Sequence, residues 1–93
     1  MQKWVTFNKF GKTEYWIKRI TSNKMHNELT NWFNENYSMP KEIHSSNPAP
    51  NADQLFEELK DYPAVFYSSI VGVWNCIIID PNIAAHFNLV WGE

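Results

Sequence analysis

Along the first twenty residues, apolar and polar side chains follow one another with a period close to two. Trp4 to Phe10 and Thr13 to Ile20 are rich in β-branched and aromatic residues, the types that fit a pleated, half-buried surface. Gly11-Lys12 stands between them as the kind of pair that closes a hairpin. The pattern predicts a β-hairpin over 3–10 and 13–20. Taking Val5, Phe7, Tyr15 and Ile17 as the alternating face beneath helices sends Trp4, Trp16 and Lys18 to the opposite face. The period then changes. After Ser22, a suitable N-cap, Met25, Leu29, Trp32, Phe33 and Tyr37 recur at i, i+4, i+7 and i+8, which predicts an amphipathic helix over 23–37 with a watered face of His26, Asn27, Thr30, Asn31, Asn34 and Glu35.

Pro40, Pro48 and Pro50 each bias the preceding residue away from helix, so 38–50 is expected to be an irregular connection and the most mobile internal segment. Asn51-x-x-Gln54 resembles a capping pattern and opens a second helix, with Ala52, Leu55, Phe56 and Leu59 on its apolar face and Pro63 as its stop. A second hairpin is expected at 64–71 and 73–79, around Gly72. Its unbroken Cys76-Ile77-Ile78-Ile79 reads as a central strand buried on both faces. Asp80-Pro81 provides an N-cap and an N1 proline for a short helical turn to His86, before Phe87 to Trp91 returns as a final strand. The order ββααββ(α)β implies an α+β two-layer sandwich: a mainly antiparallel sheet, built from two β-hairpins plus a C-terminal strand, with two helices on one face.

Composition narrows this picture. Ninety-three residues, 44% apolar and 19% charged, suit one packed domain spanning 1–93 and not a solvated tail. Cys76 is the only cysteine, so no intramolecular disulfide can form and a reducing compartment is expected. The N-terminal stretch has no apolar signal region, and the Cys76–Ile79 run is far short of the roughly 20 residues a membrane helix needs. These features give a cytoplasmic expectation, with no membrane partner. Charge is lopsided: residues 1–46 hold seven basic and four acidic side chains, residues 47–93 one basic and six acidic. Two differently charged surfaces follow. Seven Lys to one Arg, with eleven Asn and eight Ile, is the bias that an AT-rich coding sequence imposes.

Candidate chemistry is sparse. His26, His44 and His86 lack carboxylates or thiols at metal-ligand spacing, so no metal is expected. Cys76 lies in an apolar run and reads as a core residue, because a reactive thiolate needs an exposed, electropositive site. Ser68-Ser69 could offer a hydroxyl to His44 or His86, but no nucleophile elbow frames it and the solvent face of a strand explains serine equally well. Asp80 is accounted for as a cap, and Gly11, Gly72 and Gly92 are too scattered for a phosphate loop. No enzyme activity and no cofactor are expected.

The first hairpin stands apart, because Lys3, Lys9, Lys12, Lys18, Arg19 and Lys24 interleave with Trp4, Phe7, Phe10, Tyr15 and Trp16. Basic groups with stacking aromatics suit single-stranded nucleic acid, whereas lysines on an edge strand also guard against aggregation. Five Trp, four Tyr and six Phe exceed what a small two-layer core buries, and aromatic surplus favours a protein interface. The expectation is a small protein-binding module with Trp4 and Trp16 as anchors and Lys18 and Arg19 as steering charges. Its partner would be a host protein or a second copy, in the style of phage or mobile-element accessory proteins that inhibit a host defence or transcription factor. The alternative is weak nucleic-acid binding through the basic hairpin.

Overall fold

The computed structural model describes residues 1–8, 11–44, 52–68 and 73–91, with the side chains of 8 and 52–54 outside that description. Strands β1 (Gln2–Asn8) and β2 (Gly11–Ile20) are followed by helix α1 (Asn23–Asn36), strand β3 (Lys41–His44), helix α2 (Ala52–Leu59), strands β4 (Val65–Ser68) and β5 (Trp74–Ile78), and helix α3 (Pro81–Trp91). The five strands lie in the order β1-β2-β5-β4-β3. Every neighbouring pair is antiparallel except β3 with β4. This is an α+β sandwich. β5 occupies the middle of the sheet, where its apolar run requires cover on both faces.

Paired residues share a face, so the register assigns the two sides. Trp16 and Ile20 of β2, Cys76 and Ile78 of β5 and Phe66 of β4 lie on one side and pack with Leu29 and Phe33 of α1 and Ala84 and Phe87 of α3. Ile17, Ile77, Val65, Tyr67 and Ile43 lie on the other side, beneath Leu55, Phe56 and Leu59 of α2. Two helices do sit on one face, but they are α1 and α3; α2, expected beside α1, covers the opposite face. The parallel step from β3 to β4 requires a crossover, and α2 is its helix.

Local chemistry explains the elements. Ser22 is extended, and its side chain accepts from the Met25 N–H at 3.1 Å, which starts α1. Asp80 Oδ1 accepts from the N–H groups of Asn82 and Ile83 at 2.8 and 3.4 Å, and Pro81 follows it as the first residue of α3. That cap launches a helix that does not stop at His86. The expected strand at 87–91 is therefore corrected to the last turns of α3. Phe-Asn-Leu-Val-Trp fits a strand by composition, but Ile83, Phe87 and Trp91 repeat every four residues and Phe87 stacks on Phe33 at 5.7 Å. Packing overrides propensity here.

The fifth strand comes instead from the segment expected to be irregular. Pro40 is buried just before β3, and the Lys41 N–H donates to the Ala64 carbonyl at 3.1 Å. Proline biases its predecessor towards extended backbone, so it introduces this strand and does not forbid it. Residues 45–50, the remainder of that expected mobile loop, lie outside the described residues. α2 ends at Leu59, ahead of Pro63, its expected stop.

The hairpin closes earlier than expected. Asn8 pairs with Gly11 and Phe7 with Lys12, so residues 9–10, and not Gly11-Lys12, join the strands. Gly11 opens β2 at φ 91°, a conformation that favours glycine.

Candidate functional site

A pair closed across two residues sums to an odd number, here nineteen, so odd positions of β1 face the same way as even positions of β2. The register is Lys3↔Trp16, Trp4↔Tyr15, Val5↔Glu14 and Phe7↔Lys12. The expectation that Val5, Phe7, Tyr15 and Ile17 share one face is thereby corrected: Val5 and Phe7 lie with Trp16 on the α1/α3 side, and Trp4 lies with Tyr15 and Ile17 on the α2 side.

The four expected binding residues separate accordingly. Trp16 is half-buried and packs against the α1/α3 core, with the Lys3 ammonium 5.6 Å from its ring centre. Lys18, also half-buried, shares that side and pairs with Cys76. Trp4 is 44% exposed on the other side, and Arg19 is exposed there opposite Asn75. The structure brings Trp16 near Lys18 and does not bring either to Trp4 or Arg19.

Among the described residues of the hairpin, the exposed large apolar side chains are instead Trp4, Val5 and Phe7, all on β1. Val5 is 47% and Phe7 79% exposed on the α1/α3 side, and Trp4 projects from the α2 side. Geometry explains why. Strands lie about 4.8 Å apart and helices about 10 Å, so two helices span roughly four strands and leave the fifth bare. On the α2 side one helix reaches as far as Tyr15, whose ring lies 6.0 Å from Phe56, and Trp4 stands one strand beyond.

β1 is also an edge that little protects. Its seven residues include no proline, and the register with β2 is continuous from Gln2 to Asn8. Its one charge, Lys3, is drawn onto its own sheet by Glu14 at 3.1 Å. The opposite edge, β3, has four residues, two of them charged. A pair closing a two-residue connection is hydrogen-bonded, and bonded pairs alternate along an antiparallel ladder. Asn8, Thr6, Trp4 and Gln2 thus bond to β2, while the N–H and C=O groups of Lys3, Val5 and Phe7 point outward. The outward row of β1 combines backbone groups that pair with no other described strand and exposed apolar side chains. The odd-sum rule for a two-residue connection is the sequence signal that locates Val5 and Phe7.

Other groups are committed to the fold. Cys76 is fully buried, and that burial pushes its thiol far above the usual range, outweighing the opposite pull of Lys18. Ser68 is fully buried, contrary to a solvent-face reading, and is paired in register with His44. The Tyr37 hydroxyl and His86 Nδ1 stand 2.7 Å apart, and His26 Nε2 lies 3.8 Å from Glu42 Oε1. Among the described residues, no three His, Cys, Asp or Glu side chains cluster as a metal site, and no helix is long and apolar enough to cross a membrane. Leu89 and Val90 form a second exposed apolar group, at the end of α3, but a helix presents no free ladder of backbone groups beside them. No protein-family model, curated protein or solved structure matches this chain.

Proposed function

We propose that this chain is a small non-enzymatic protein-binding module that takes a strand of its partner onto the β1 edge. The exposure of Val5 and Phe7 beside outward backbone groups carries this reading: main-chain hydrogen bonds supply affinity, and the alternating side chains supply selectivity. Trp4 supports it from the other side of the sheet. The role that fits is the accessory inhibitor expected from composition, acting by occupying a host protein's own strand edge. Capture from nuclease-treated host lysate, with wild type and with Val5→Pro as baits, tests the reading. Because the Val5 N–H points away from β2, proline there should leave the hairpin folded and abolish partner recovery. Equal recovery by both baits would contradict it.

A second reading draws on Lys12 and Lys18, which share the side of Phe7 and could hold phosphates near an exposed ring. It predicts recovery of nucleic acid from lysate without nuclease, lost at high salt.

A further inference from the structure

We infer that the strand received by the β1 edge is the β1 strand of a second copy, paired antiparallel about a two-fold axis at Val5. The inference rests on the strand-edge reading and names the occupant. Three features of β1 meet in this one register. Pairing Gln2 with Asn8 is the only alignment that overlaps all seven residues. It sets Lys3 against Phe7, Trp4 against Thr6 and Val5 against itself. The outward backbone groups belong to Lys3, Val5 and Phe7, which are symmetric about Val5, so all three pairs bond and every outward N–H and C=O is used.

Charge fits the same register. Lys3 is the one charged residue of β1, and it falls opposite the other copy's Phe7, not opposite another lysine. Its ammonium already stands over Trp16, so each Lys3 would lie between its own Trp16 and the other copy's Phe7 ring. That position covers Phe7, the most exposed large apolar side chain among the described residues of the hairpin. On the α2 side the two Trp4 rings become diagonal neighbours, within reach of each other. The result is one continuous ten-stranded sheet with both copies' helices in matching layers, at the upper end of common sheet sizes.

The contact is small. One strand and three apolar side chains per copy bury less than the roughly 1,200–2,000 Å² of a lasting interface. The pair should therefore be reversible, forming at micromolar or higher concentrations and leaving the edge available to a competing strand.

Sedimentation equilibrium from low micromolar to millimolar chain tests this. Wild type should move from the 11.0 kDa monomer towards twice that mass. Val5→Pro removes one N–H donor from each copy and should weaken association about tenfold or more, with an unchanged circular dichroism spectrum. Phe7→Lys, which opposes Lys3 twice across the axis, should weaken it about tenfold, whereas Phe7→Glu should associate at least as tightly as wild type. A monomer at every concentration, or a dimer in which Phe7→Lys and Phe7→Glu behave alike, overturns the inference. Lysate capture separates the two levels: if wild type stays monomeric but Val5→Pro still loses a captured protein, the second copy is wrong and the strand edge stands. If neither association nor capture responds to Val5→Pro, both fall.

Discussion

Phe33→Ala should remove about 3–5 kcal/mol of stability, the usual range for emptying an aromatic site in a core. Phe33 has no exposed surface and lies where the two helices of one layer meet the sheet. Its ring is 5.0 Å from Trp32, 5.7 Å from Phe87 and 6.0 Å from Phe66, so α1, α3 and β4 all lose contacts at once. Rings this large leave a hole that their neighbours cannot close by small shifts. Against the roughly 5–15 kcal/mol that holds a domain together, the loss brings the chain close to unfolding at room temperature. Urea denaturation followed by circular dichroism reads it directly. A midpoint close to wild type would mean that this layer is not the core.

The second large effect is at Trp16, where truncation to alanine should cost about 2–3 kcal/mol, part of the full core value because the ring is only half-buried. Trp16 closes the end of the α1/α3 layer, against Ile78 and beneath Lys3. Trp4→Ala should cost about 1 kcal/mol or less, since Trp4 stands beyond the reach of α2 and much of its ring is already wet. Parallel thermal melts of the two variants give the comparison. The order matters more than the values: if Trp4→Ala were the more damaging, the faces of the hairpin would be the reverse of those described.

Much of the fold is legible in the sequence wherever one local signal acts alone. Ser22 and the Met25, Leu29, Phe33 stripe locate α1, and the Cys76–Ile79 run marks the central strand. Legibility ends where two signals compete. Phe87 to Trp91 satisfies both a strand composition and a four-residue repeat, and only the space beside Phe33 decides for helix. Lys41 to His44 is too short and too charged to announce itself, and becomes a strand because β4 offers it an edge. The site was partly legible. The first hairpin stands out by its basic and aromatic side chains, but alternation within each strand does not say which face of one matches which face of the other, and a two-residue connection sets odd positions of β1 beside even positions of β2. Trp16 and Lys18 go to the packed side, Arg19 and Trp4 to the other, and Val5 and Phe7 emerge as the exposed apolar pair. Alternation within a strand is a local property; which strands lie under a helix depends on the widths of the two layers.

The most direct test of the strand edge is amide hydrogen exchange along β1, measured residue by residue by nuclear magnetic resonance, first in dilute chain and then with the bound strand present. Trp4 and Thr6, bonded to β2, should exchange slowly in both states. Val5 and Phe7 should exchange rapidly in the dilute chain and slow at least tenfold when the edge is occupied. Slow exchange at Val5 and Phe7 in the dilute chain, or protection on binding that appears around Leu89 and Val90 and leaves β1 unchanged, would contradict the account.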